Sequence, residues 1–552
     1  MKTLLFSAAI ISASIFTSCN NETLISEFAS ETNSALSLNV SELAYTPTAT
    51  GSRAVTNTDA VKTTEFEEGD ALGLFIISED GTVTKQNVKF TYTSGIWTPD
   101  GVVNYYANSN YIAYFPYEKN LTVESSSNIE TVIKTYFTKN NFTSTDQSSK
   151  EAYQKADLMM AKLENPKDPA ISFPLKHQFS MVEISIPVRK YITTKTYDEA
   201  GTRFEYCAPH KVTWKTLTYN DTGITPYYAG NGVYRYIAVS ATGAADVTIS
   251  ITGNVVYDEN GNIMNFDNET NKNVSLSSGS YVSYNLKNPA IPSDVTERDL
   301  EVGDYYYSDG SIYPYGKQND GNDLSSPLTE GCIGVIYDVE NANDTDGNII
   351  WNHGFVLALS DADGTYKWDT ATLESNILPW NDNFTSETPD EQTKLLVNEV
   401  LTRFDGYKAC WDIVDLSSKD GSLIPAIEAA VYFDKYLAPE KLSSGWYLPS
   451  VGQVYSIMNN LGDLGFEGNY KNISHLFFGG TRSGGAKKAA RNNISNYISR
   501  INVNYTLNTG IWKLVTEISV SQSWAIEWAD HNIRIFSRSK GVSEIVHPVL
   551  SF

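Results

Sequence analysis

Residues 171–186 read ISFPLKHQFSMVEISI, and in their second half Val182, Ile184 and Ile186 are separated by Glu183 and Ser185. An apolar residue at every second position puts one face of an extended chain in a core and the other in water, as in a strand of an antiparallel sandwich. The same alternation returns at Val88, Phe90 and Tyr92, at Val247, Ile249 and Ile251, and at Val282, Tyr284 and Leu286. Turn-forming clusters fall between such runs: EDGT at 79–82, TSGIW at 93–97 and DENGN at 258–262. The pattern predicts stacked β-sandwiches with hardly any helix, over 54–167 and 168–292, dividing near LENPKDPA at 163–170.

A second boundary is expected at KNPAIPSDVTER, 287–298, where two prolines interrupt the alternation. Beyond it the period changes. In ETPDEQTKLLVNEVLTRFDG, Thr388 reads as an N-cap, Pro389 as the first helical residue and Glu391 as the closing member of a capping box, with Gly406 as the stop. PSVGQVYSIMNNLG repeats the logic: Ser450 caps, Gln453 closes the box, and Val451, Val454, Tyr455, Met458 and Leu461 form an apolar stripe before Gly462. Both stripes read as core packing. YKACWDIVDL and SWAIEWADHNIRIFSRS read as strands, so residues 293–552 are predicted to form a separate α+β domain.

The first residues read as an export signal. Lys2 is followed by an apolar run from Leu4 to Phe16, too short to cross a bilayer permanently, and then by small residues before Cys19. A cysteine there is where a bacterial lipoprotein is cut and acylated, so 1–18 is expected to be a signal peptide and Cys19 a lipid-bearing residue. The polar stretch after it reads as a tether.

A net charge of −24 over 552 residues argues against nucleic acid or an anionic membrane surface as partner. Three cysteines remain after such processing, Cys207, Cys332 and Cys410; they make no disulfide scaffold, though one bridge from Cys332 to Cys410 is an open option. None lies in a C-x-x-C pair, and no two of the six histidines are spaced as metal ligands on a helix. His177, among apolar strand neighbours, reads as a structural histidine. Asp361, Asp363 and Asp369 lack the glycine and terminal glutamate of a calcium loop. WND at 380–382 matches a calcium-site tripeptide of sugar-binding lectins but stands too early in the domain. FGGTRSGGAKK at 478–488 matches no phosphate loop or nucleophile elbow and reads as a basic surface loop. No catalytic residue, metal site or cofactor is expected, and the chain does not read as an enzyme.

SRAVTN at 52–57, TEFEEGDALGLFI at 64–76, YTSGIWTPDG at 92–101, YIAYFPY at 111–117, ADLMMAK at 156–162 and the opening stretch at 171–186, in that order, resemble the fimbrillin-like proteins of Bacteroidales. VGDYYYSDGS at 302–311, GCIGVIYDV, HGFVLALSDA, SSGWYLPSVGQVYSIM and the final HPVLSF are similar to C-type-lectin-like domains carried by some pilus tip subunits. The first resemblance implies two transthyretin-like β-sandwich domains, the second an α+β lectin-like domain.

Members of the resembled family are exported as lipoproteins, cut after an arginine, and assembled when a strand from the next subunit fills the groove left by the removed one. Here that implies cleavage between Arg53 and Ala54, a lipidated pro-segment at 19–53, and ALSLNVSEL at 35–43 as the departing strand. The partners implied are a stalk fimbrillin's donor strand, the outer membrane before processing, and a glycan or protein ligand whose binding residues the sequence leaves unknown. Trp351, Trp368 and Trp380 are the expected stacking residues. DTA at 369–371 resembles an O-glycosylation signal. The alternative from another class is a lipid-anchored glycan-capture protein that stays monomeric.

Overall fold

The computed structural model describes residues 31–47, 66–239 apart from 125–127, 141 and 143, 245–256, 263–267, 273–286, 295–315, 327–369, 399–464, 484–507, 509–529 and 533–552. Cys19, Arg53, Ala54, Trp380 and the capping box at 388–391 lie outside them. The described chain divides into two compact units, the first built from residues up to 46, 56–144 and 154–180, the second mainly from 181–552.

The first unit is a sheet of seven strands in the order Ser37–Leu43, Ala170–His177, Met159–Leu163, Ser109–Phe115, Ala71–Ser78, Val83–Thr93 and Ile96–Pro99. The two edge strands of that order approach one another, so the sheet curls on itself. Inside lie Leu72, Leu74, Phe90, Trp97, Tyr111, Phe173 and Leu175. The strand Ala170–His177 belongs here, so the unit continues past the boundary expected after residue 167.

A helix over Ile129–Lys139 was not expected. Asn128 caps it by accepting from the Thr131 N–H, and Ile129, Ile133 and Phe137 bury one stripe. A second short helix spans Lys150–Ala156.

The second unit begins with a sandwich. Tyr227–Gly230, Val233–Ala238, Ser180–Ser185 and Ser280–Asn285 lie side by side in one layer, and Lys211–Tyr219, Ala245–Val256 and Ile263–Asp267 form the other. Val182, Ile184, Leu217, Ile249, Ile251 and Tyr284 meet between them. The opening alternation therefore lines this core as expected, but Ser180–Ser185 runs parallel and not antiparallel to Ser280–Asn285.

The rest of the unit mixes helices and strands around one large core. A five-stranded sheet runs Ile312–Tyr313, Tyr305–Tyr307, Cys332–Asp338, Phe355–Ala358 and Val549–Ser551, and Gly510–Ser519, Gln522–Trp528 and Ile533–Ser539 form a three-stranded one. The helix Val451–Ser456 carries the expected Ser450/Gln453 capping box and continues as a π turn over Ile457–Leu461.

Three expectations fail in this region. YKACWDIVDL is not a strand but part of the helix Gly406–Asp420. Its Tyr407, Cys410 and Ile413 are buried at helical spacing, and Lys408–Asp412 and Asp415–Lys419 pair one turn apart. Gly406 begins this helix instead of ending the previous one; a Cβ there would lie 2.9 Å from the Tyr447 ring. The basic stretch is not wholly a loop, because Gly484–Ser499 is helical.

Candidate functional site

The strand Ser37–Leu43 runs parallel to Ala170–His177 in unbroken register, Ser37 opposite Ala170 through Leu43 opposite Lys176. Just before it, the Leu36 N–H donates to the Val103 carbonyl at 2.9 Å, and the Ser37 N–H donates to Pro169 at 3.0 Å. Glu31–Ala35 adds an antiparallel pairing with Asn104–Tyr106. This leading segment is thus hydrogen-bonded into the first unit.

Its side chains alternate. Ser37, Asn39, Ser41 and Leu43 are exposed, whereas Leu38, Val40 and Glu42 are half-buried. Leu36, Leu38 and Val40 join the apolar interior beside Ile171, Phe173 and Leu175. The strand lies at the edge of the sheet, so one row of its backbone groups has no partner strand in that ladder among the described residues.

The inward row ends on a charge. Glu42 Oε1 lies 3.0 Å from His177 Nε2, and His177 Nδ1 lies 2.8 Å from Asp157 Oδ1. Tyr45 completes the cluster: its hydroxyl donates to Asp157 Oδ1 at 2.7 Å, and its ring stacks on the imidazole at 3.6 Å between centroids. The side chains of His177 and Glu42 are 1% and 4% exposed. Burial alone would push the His177 pKa down, but the carboxylates of Asp157 and Glu42 outweigh it and raise the pKa to about 9. At neutral pH the ring is therefore an imidazolium held between two carboxylates, one of them supplied by the leading strand. Sequence reading identifies His177 as structural but not its partners, which lie at distant positions in the chain.

At the other end of the described chain, Val549–Ser551 pairs antiparallel with Phe355–Ala358 and is buried at every position. Tyr447 exchanges backbone hydrogen bonds with Val549, the Phe552 N–H donates to the Gly354 carbonyl, and the His353 N–H donates to the Phe552 carbonyl. His547 is fixed by Asp361 at 2.7 Å, by the Ala358 carbonyl at 3.0 Å and by stacking on Trp512. This closing strand is bound on both edges.

Other expected site residues are placed as follows. Trp351 and Trp368 are 5% and 0% exposed, with indole N–H groups donating to the Lys441 and Leu514 carbonyls, so neither is available as a stacking platform. Cys332 and Cys410 are unpaired and buried; their thiols contact backbone carbonyls, that of Cys332 those of Tyr306 and Gly334 and that of Cys410 that of Leu448. The three aspartates are dispersed, Asp361 at the His547 imidazole, Asp363 at the Lys435 ammonium and Asp369 near that of Lys540. Lys540 sits in the core between Glu517 and Asp369, over the face of Trp368.

Residues 52–303 match the model of a family described as fimbrillin-like. Over 456 residues the chain is 24% identical to a Bacteroides ovatus protein named "Putative fimbrium tip subunit Fim1C", covering 74% of this chain and 78% of the relative. Among solved structures it is similar to a fimbrial protein of Bacteroides ovatus, at 18% identity and a TM-score of 0.43, covering 94% of this chain and 99% of that one. It is also similar to a Bacteroides uniformis protein described as "a putative cell adhesion protein", at 18% identity and a TM-score of 0.26, covering 40% of this chain and 86% of that one.

Proposed function

We propose that this chain, whose residues 52–303 belong to the fimbrillin-like family, is a subunit of a cell-surface fimbrium placed at the tip and joined to its neighbour by exchange of the leading strand. The observation that carries this reading is the strand Ser37–Leu43: an edge ribbon in parallel register with Ala170–His177, half-buried on one face and sealed by Glu42 on His177.

Departure of that ribbon would leave the Ala170–His177 ladder open along one side and uncover Ile171, Phe173 and Leu175. An incoming strand would satisfy the backbone groups and cover the trench in one step, which is the physics of β-augmentation. Cleavage between Arg53 and Ala54 would detach the ribbon together with a lipid anchor at Cys19. The anchored form is then the membrane-bound precursor and the cut form the assembled one.

The tip position draws on the tip-subunit relative. Residues 549–552 are buried within their own domain, so they are not free to serve a second subunit as a donor strand. The α+β region from about 293 onward is then the displayed part, suited to adhesion.

Limited trypsin treatment of the full-length precursor, with mass spectrometry and size-exclusion chromatography, tests the reading. It predicts a cut after Arg53, loss of residues 31–47 from the folded body, and complex formation with a stalk subunit's donor strand. A capture protein that works as a monomer would keep the ribbon after the cut and form no complex.

A further inference from the structure

We infer that a cleft on the C-terminal α+β region, walled by Tyr315 and Tyr497 and edged by Asn460, Asp463, Asn493 and Arg500, is a binding site for a neutral pyranose sugar. It rests on the reading above only for its setting, a domain displayed at a surface. Its volume is about 420 Å³, within the range of roughly 300–1,000 Å³ usual for small-molecule sites.

One wall is a helical stripe. Asn496 and Tyr497 lie three and four residues beyond Asn493 on Gly484–Ser499, and Arg500 continues the same row. The facing wall is the π turn Ile457–Leu461 and the residues just after it. Such turns recur where a helix is bent to a functional purpose. Asp463 adopts a left-handed backbone at φ 55°, a conformation that costs free energy for a residue with a side chain. Gly303, at φ 97°, admits the two rings: a Cβ there would lie 2.7 Å from the Tyr497 ring and 3.3 Å from that of Tyr315.

The polar groups are held with one end committed. Asn460 Nδ2 donates to the Tyr337 carbonyl and to Ser456 Oγ, both at 2.9 Å, and Asn493 Nδ2 donates to the Gly462 carbonyl at 3.2 Å. Each amide is thereby oriented, and its Oδ1 has no partner among the described residues. Arg500 stacks on Tyr315 at 4.5 Å and forms no salt bridge among the described residues. Tyr497 packs edge-on against Tyr315, with 5.5 Å between ring centroids.

Positioned acceptors, a planar donor and aromatic walls match the needs of a sugar ring, whose hydroxyls donate and accept while its C–H face is apolar. Asp463 and Arg500 offset one another in charge, which favours a neutral ring over an anionic one.

Saturation-transfer NMR on the full chain tests this, using methyl β-galactopyranoside, methyl α-mannopyranoside, methyl α-fucopyranoside and methyl N-acetylglucosaminide as probes beside a methyl sialoside. The expected result is transfer to at least one neutral glycoside, with affinity falling roughly tenfold in Asn496→Ala/Arg500→Ala. Both residues are exposed, so the fold is kept, which thermal unfolding verifies. Lys488→Ala, exposed on the same helix, is expected to bind as the parent does. No transfer to any neutral glycoside, preference for the sialoside, or undiminished binding in the double variant would each overturn the site. Because binding is read on the monomer, failed strand exchange leaves this result standing, and failed binding leaves strand exchange untouched.

Discussion

Ser37–Leu43 and Val549–Ser551 are both edge strands of their sheets, yet the first alternates exposed with half-buried residues while the second is buried throughout. Burying Leu36 fully and Leu38 and Val40 in part stabilises the leading strand by roughly 3–6 kcal/mol gross. Fully burying Val549, Leu550 and Phe552 contributes roughly 5–9 kcal/mol on the same scale. The closing strand also gains backbone bonds to Tyr447 on its second edge. The difference teaches where the molecule can be opened: at a ribbon whose modest apolar grip is reinforced by one charged contact, not at a strand sunk in a core.

The sharpest way to break the comparison is to remove the imidazole. His177→Gln leaves Glu42 and Asp157 buried without their cation, and loss of one partner from a buried ion pair costs about 3–5 kcal/mol. Hydrogen exchange should speed up at amides 37–43 and remain slow at 549–551. The reciprocal variant Leu550→Ala empties a fully buried site and is expected to cost about 2–5 kcal/mol, speeding exchange at 549–551 and sparing 37–43.

Titration separates the ends by pH. The His177 pKa is raised from 6.5 to about 9, so its contribution is fully present below 6.5 and is lost as pH rises through about 9, a change of roughly 3 kcal/mol. Burial raises the Asp344 pKa from 3.8 to about 6 in the closing domain, and its carboxyl accepts from Tyr447. The sign is the same, because this pKa too is raised on folding. The folded state binds the proton more tightly, so stability is greatest below 3.8 and falls as pH rises through about 6. Raising the pH from 7 to 9 should therefore loosen 37–43 while leaving 549–551 unchanged, as followed by exchange at matched intrinsic rates. The smallest effect is expected from Val40→Ala, about 1 kcal/mol because Val40 is half-buried, against a change within about 0.5 kcal/mol for the exposed Asn39→Ser.

The sequence made legible what depends on local pattern. Alternation at 182–186 and 282–286 located two neighbouring strands, and Ser450 with Gln453 located a helix start. The helix Gly406–Asp420 escaped because Tyr407, Trp411, Ile413 and Val414 favour strands by type, while its buried face is visible only at helical spacing. The helix at 129–139 carried a readable cap in Asn128, but Ile129, Ile133 and Phe137 are likewise strand formers. The charged seal was illegible for another reason. Glu42, Asp157 and His177 are brought together by sheet closure, and no spacing in the chain announces a contact that depends on register between distant strands.

The central claim is that Ser37–Leu43 is a replaceable occupant of the groove beside Ala170–His177. The most direct test is hydrogen exchange at amides 170–176 before trypsin, after removal of the cut segment, and after adding a synthetic peptide of residues 35–46. The account predicts protection that is lost on removal and restored by the peptide, and restored less by a peptide carrying Glu42→Lys. Protection unchanged by removal of the segment would contradict it.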